Sequence, residues 1–293
     1  MFLWRHRIAT FQTLKVIFFS QESPKTAYFR LKALSAGGFL RIEKITGTPN
    51  KIIFLGKRGF EFLSANLLPD DLAHQMYQPH RQYHDLMAMS ALLGDWYASS
   101  PKNVRIVTEQ ELATTHISDL PIHLRKSLNH KPDGLWIYTN GEDKKAIALE
   151  VEITAKSSPR YEKICAFYTS ELFFEKVIWI VANKTLGNRI LDDSRYYGNS
   201  RENLHLFVEQ ADFEKNLWQS KVMNKSFGGA TMAEVLNSLV KPVNSNALIN
   251  GLKQVSSESK AEAKHQNQNF FLDFGFRLGI PTAYGPRVGR QNS

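Results

Sequence analysis

Apolar and polar positions along this chain change period several times, and each change marks a predicted element. Residues 8–19 (IATFQTLKVIFF) are apolar at most positions and read as a buried helix. Ser23-Pro24 has the form of a helix entry. In the segment that follows, Ala27, Leu31 and Leu34 recur at helical spacing until Gly37-Gly38 stop the run. Residues 39–45 and 51–55 read as two strands around Gly-Thr-Pro-Asn turn residues. After a connector from Pro69 to Pro79, residues 80–99 predict a helix whose apolar stripe is Tyr83, Leu86, Met87, Leu92, Leu93 and Trp96.

Further along, residues 104–107 read as a strand, followed by 109–112. Residues 135–138 and 146–151 are the paired strands of a hairpin, with Asn140-Gly141 as its turn signal. A helix over 159–174 leads into the continuous apolar run VIWIVA at 177–182, as in a buried strand. A short helix over 188–197 and a strand over 203–208 complete the order expected of an α/β layer around one mixed sheet. Residues 231–240 suit one amphipathic helix. The Ser/Lys/Glu/Gln-rich stretch 256–269 predicts disorder, and the tail from Gly275 carries Arg277, Arg287 and Arg290 with no acid.

A length of 293 residues accommodates two domains with their own cores, expected at 1–68 and 80–220, with 221–293 as a short helix and a largely disordered basic tail. A hydrophobic share of 43% excludes a wholly disordered chain. The single cysteine, Cys165, excludes an intramolecular disulfide framework and fits a reducing cytoplasm, the expected location. No apolar run approaches the ~18 residues of a membrane span, so no membrane partner is expected.

Charge is informative by its place. Of the formal +9, all of it falls in residues 1–60, which hold 11 Lys/Arg against only Glu22 and Glu43. Such a basic excess is the footprint of a nucleic-acid-binding module, here expected to take double-stranded DNA. The order helix, basic helix, β-hairpin resembles a winged helix-turn-helix. The run Leu55-Gly56-Lys57-Arg58-Gly59, continuing to Leu63, resembles the closing segment of many such domains, with Gly56 in place of Thr. This resemblance puts Lys25, Tyr28, Arg30 and Lys32 on or near the recognition helix, and Arg41, Lys44 and Lys51 at the border of the wing. A solvated basic face, or a small α+β module that binds another protein, remains the alternative.

The densest chemistry lies between positions 131 and 168. Asp133 opens one apolar run, and Glu150 and Glu152 close the next. Residues two apart on a strand share a face, so the two glutamates point the same way, and the hairpin brings Asp133 near them. Apolar neighbours (Ile147, Ala148, Leu149 and Val151) place the acids at the end of a covered strand rather than on a solvated hairpin face. Three converging carboxylates repel one another unless a divalent cation neutralises them, and oxygen ligands of this kind suit Mg²⁺ or Mn²⁺.

These residues, in the order helix, hairpin, helix, strand, resemble the core of the PD-(D/E)XK (restriction-endonuclease-like) nuclease superfamily over roughly residues 80–210. Asp133 falls on that family's first acid and Glu150 on its second, while Glu152 stands where the lysine belongs. The resemblance implies a lysine supplied from a neighbouring element, with Lys163 preferred over Lys156. Pro132-Asp133-Gly134, Leu149-Glu150-Val151-Glu152 and Arg160-Tyr161-Glu162-Lys163-Ile164, together with the N-terminal module, are more narrowly similar to the replication–relaxation family and MobC-type plasmid relaxases.

What that resemblance implies is metal-dependent, site-specific DNA nicking at a plasmid or mobile-element transfer origin, alongside other transfer or relaxosome proteins. Asp133, Glu150 and Glu152 would hold the metal, and His84 on the preceding helix would protonate the leaving group, since an unperturbed imidazole titrates near neutrality. No HxH-type cluster accompanies Tyr161 or Tyr168, which argues against a tyrosine nucleophile. The rival expectations are a non-catalytic DNA-binding accessory protein with a degenerate core, and a restriction- or transposition-type endonuclease.

Overall fold

The computed structural model describes residues 1–45, 51–66, 81–94, 104–113, 117–126, 130–140, 143–195, 201 and 203–240. The Gly-Thr-Pro-Asn turn, the connector, Trp96, Gly141 and the segments expected to be disordered lie outside them.

The N-terminal unit runs α1 (Phe2–His6), β1 (Ile8–Thr10), α2 (Phe11–Phe18), α3 (Pro24–Ala36), β2 (Leu40–Lys44), β3 (Lys51–Leu55) and α4 (Lys57–Asn66). Local chemistry sets these boundaries. The Thr10 side chain accepts from the Thr13 N–H and Ser23 from the Thr26 N–H, so each hydroxyl caps a helix start, with Pro24 opening α3. The three strands form an antiparallel sheet ordered β1-β3-β2. Ile8, Leu14, Leu31, Ile52 and Phe54 fill its core.

Two expectations need correction here. Residues 8–10 are a strand rather than helix, because Ile8 and Ala9 pair with Phe54 and Ile53. Leu34 is exposed, because α3 buries only Ala27 and Leu31. The glycines of the closing segment have a steric reason: a Cβ on Gly56 would lie 2.4 Å from Gly38 O, and one on Gly59 would lie 2.2 Å from Phe39 O.

The second unit runs α5 (Gln82–Leu93), β4 (Val104–Thr108), α6 (Glu109–Leu112), α7 (Ile122–Lys126), β5 (Gly134–Asn140), β6 (Asp143–Glu152), α8 (Ser158–Ser170), β7 (Phe174–Val181), α9 (Lys184–Arg195), β8 (His205–Glu209), α10 (Gln210–Asn216) and α11 (Met232–Leu239). Its five strands are ordered β4-β5-β6-β7-β8. The first three are antiparallel neighbours, and β7 and β8 join in parallel. The protein is therefore mixed α/β, as expected.

Alternate residues of β6 feed two cores. Ile147, Leu149 and Val151 pack with α5, α10 and α11, while Ala146 and Ala148 face α8 and α9. Helix α5 shows no clean apolar stripe because it is covered on both sides: Met87 and Leu92 face the sheet, Leu86 and Met89 the N-terminal unit. The second unit does not end near 220, since Val222, Met232, Leu236 and Val240 belong to the same core. Among the described residues no helix is long and apolar enough to cross a membrane.

Candidate functional site

Asp133 stands just before β5 and is fixed by the sheet. Its N–H donates to Leu149 O at 3.0 Å, and its Oδ2 accepts from the Val151 N–H at 2.7 Å. Glu150 and Glu152 follow on β6, on the face toward α8, at only 4% and 2% exposure. The expected hairpin thus delivers all three acids to one end of the sheet.

The partners of these acids are the principal finding. His84 on α5 lies between two carboxylates, with Nδ1 3.1 Å from Asp85 Oδ1 and Nε2 3.2 Å from Asp133 Oδ1. Burial alone would disfavour an imidazolium there, but the hydrogen bonds and charges of Asp133 and Asp85 outweigh it and raise His84 to about 10. Burial likewise opposes ionisation of Asp133, and the His84 cation overrides it, holding the carboxyl below its ordinary value. His84 therefore carries a fixed positive charge at neutral pH, which corrects the expectation of a group titrating near 7.

His130 contacts Glu150 Oε1 through Nε2 at 2.6 Å, and the Tyr168 hydroxyl donates to the same oxygen. Burial lowers the affinity of His130 for a proton, and Glu150 more than restores it, so His130 is raised. Burial and the adjacent Glu150 push the Tyr168 phenol well up. On Glu152, Lys156 forms an ion pair with Oε2, while the Lys156 backbone N–H donates to the Tyr161 hydroxyl at 2.8 Å. Glu152 nonetheless stays raised, because burial, reinforced by the charges of Glu150 and Asp133, exceeds the pull of Lys156.

Lys156 is thus the lysine at the acids, not the preferred Lys163. Lys163 is exposed on the side of α8 opposite Tyr161, Ile164, Cys165 and Tyr168. The three carboxylates also do not close on one another: each is held by its own base, and among the described residues no group of three or more His, Cys, Asp and Glu side chains is arranged to hold a metal. The donor chemistry still fits a hard divalent cation. The repulsion that Glu150 and Asp133 exert on Glu152 is what such an ion would relieve, and each carboxylate oxygen has more than one lone pair.

His130 and Arg81 are site residues that sequence reasoning missed. Arg81 lies 3.7 Å from Asp85 Oδ1 and 3.2 Å from Glu109 Oε2. An isolated histidine two positions before Pro132 carries no pattern that would single it out. Tyr168, expected to be a core or DNA-facing residue rather than a nucleophile, is buried and bonded to Glu150.

The N-terminal unit adjoins the site. Arg7, held in the left-handed region at φ 64°, pairs with Glu109 at 2.7 Å, and Arg5 pairs with Glu111 at 3.1 Å. A cleft lined by Arg5, His6, Arg7, His84, Asp85 and Asp133 opens between the two units.

The expected DNA contacts Lys25, Tyr28, Arg30, Lys32, Arg41, Lys44 and Lys51 are all exposed. Two of them are engaged internally, Arg30 with Glu22 at 2.7 Å and Arg41 with Glu43 at 2.5 Å. Lys51 sits 5.8 Å from the Tyr28 ring centroid. A scan against protein-family models, a search of curated proteins and a search of solved structures each return no match, so the chemistry rests on this geometry alone.

Proposed function

We propose that this protein is a metal-dependent DNA endonuclease of PD-(D/E)XK type that nicks one strand at a defined site, with an N-terminal winged helix as its DNA-binding module. The observation that carries the reading is the end of the β5–β6 hairpin. There Asp133, Glu150 and Glu152 stand at one end of the sheet, Glu152 paired with Lys156, within the order α5, β4, the short α6 and α7, β5, β6, α8 and β7, whose first three strands are antiparallel and whose fourth is parallel. The resemblance to plasmid relaxases makes a transfer origin the expected target, with Mg²⁺ or Mn²⁺ as the cofactor.

Asp133, Glu150 and Glu152 would hold the cation, which when bound supplies charge neutralisation for an attacked phosphodiester. Lys156, next to Glu152 and partly exposed, presents a second positive charge to the phosphate. His84 keeps its proton and orients Asp133, whose other oxygen is already fixed by the Val151 N–H. Tyr168 and His130 fix Glu150 in the same way.

One observation favours a second reading, a DNA-binding protein whose nuclease core is degenerate. Every acid is already neutralised internally, by His84, His130 or Lys156. Calorimetric titration with Mn²⁺ separates the two. The nuclease reading predicts saturable binding to the wild type that is lost in Asp133→Asn. Equal heats in both proteins, or none in either, would favour the degenerate core.

A further inference from the structure

Helix α3 turns Ala27 and Leu31 inward. At 100° per residue, Phe29 points directly away from them with Lys25 and Lys32 within about 60° of it, and Tyr28 stands on the flank of the helix. Phe29 is 55% exposed and Tyr28 40%, so two aromatic rings stand in solvent between two lysines. Their ring centroids lie 6.2 Å apart, and Tyr28 also has the Lys51 ammonium over it. Exposed rings of this size have to be paired with a reason, and charge narrows the choice of occupant. The only acids in residues 1–60 are Glu22 and Glu43, and both are ion-paired with arginines, so the surroundings of this face are cationic. An apolar strip with a basic rim matches a duplex major groove, where thymine is the one base that offers a methyl group between flanking phosphates.

From this, resting on the DNA-binding reading above, we infer that the Phe29 ring, supported by Tyr28, reads thymine 5-methyl groups in the target site, while Lys25 and Lys32 hold the adjacent phosphates. The preferred site is therefore thymine-bearing at the position under α3. Specificity there comes from apolar contact rather than from a bidentate hydrogen bond, which neither Phe29 nor a lysine makes to adenine.

The test uses the full chain and duplexes enriched from a randomised pool, each prepared with thymine or with uracil, which differs only by the methyl. Wild type should bind the uracil duplex about fourfold more weakly for each methyl contacted, the equivalent of one buried CH₂ group. Phe29→Ala, with folding checked by circular dichroism, should bind both duplexes alike. Lys25→Ala should weaken both equally and flatten the salt dependence. Equal binding of thymine and uracil duplexes by the wild type overturns the inference and leaves DNA binding standing, as does an undiminished preference in Phe29→Ala. No duplex binding at all overturns both. A concentration-dependent dimer abolished by Phe29→Ala assigns the face to a second copy of the chain and overturns the inference too.

Discussion

Replacing His205 by asparagine should remove a defined part of the protein's acid sensitivity. His205 lies on β8 at 6% exposure, and its Nδ1 accepts from the Trp179 indole N–H at 3.0 Å. Burial, aided by the Arg201 charge, holds it down to about 3, so the folded ring is neutral throughout the ordinary range. The unfolded chain takes up a proton near 6.5 that the folded one refuses, so stability falls as pH falls from 6.5 toward 3. Each pH unit in that window corresponds to about 1.4 kcal/mol, giving about 2 kcal/mol between pH 6.5 and 5.

Other groups titrate in the same window. His6, also lowered to about 3, acts in the same direction as His205. Glu214, raised to about 7 by burial, acts in the opposite one, because its folded form keeps a proton that the unfolded chain loses. The difference between two proteins cancels both. Asparagine retains an acceptor near the Nδ1 position but does not titrate. Urea unfolding at pH 7 and pH 5 should show the wild type losing about 2 kcal/mol more than His205→Asn. Equal losses, whatever the absolute stabilities, would refute a buried neutral His205.

Three further outcomes follow from the packing and the site. The His84 ring, raised to about 10, should stay protonated at pH 8 by NMR. Its stabilising contribution is complete below 6.5 and lost as pH rises through 10, so a ring that deprotonates near 7 would break the Asp85–His84–Asp133 argument. Gly94→Ala places a Cβ 1.5 Å from the Trp218 indole nitrogen, which has to move; a loss of about 3 kcal/mol and a red shift in tryptophan emission are expected, whereas wild-type values would mean that the helix end has room. Tyr168→Phe removes a buried hydrogen bond to the Glu150 carboxylate and should cost about 1.5–3 kcal/mol in urea unfolding, with a neutral result showing that the bond contributes nothing net.

The parts of the fold legible in the sequence are those with local causes. The β5–β6 hairpin follows from two apolar runs around Asn140-Gly141, and the start of α3 from Ser23-Pro24. Strand β1 was illegible because three residues show no period; its conformation is set by pairing with β3, far along the chain. Helix α5 was legible from its apolar spacing, but not that partners cover it on opposite sides. The acids were legible for the same reason as the hairpin. His84 was placed at the site by the resemblance, but its contacts with Asp85 and Asp133 depend on the helix–sheet packing, and a lone His130 has no spacing signature. Between the two candidate lysines, helix phase decided: Lys163 falls on the outer side of α8, whereas Lys156 precedes the helix and lies beside Glu152.

Conversion of supercoiled plasmid to the nicked circle, with Mg²⁺ or Mn²⁺ supplied and duplex binding measured on the same samples, tests the central claim most directly. The wild type should nick only when metal is present. Asp133→Asn and Glu150→Gln should lower the rate by about a hundredfold or more while binding DNA as well as the wild type does. Nicking unchanged in both variants, or DNA bound by the wild type with no nicked product at any metal concentration, would contradict it.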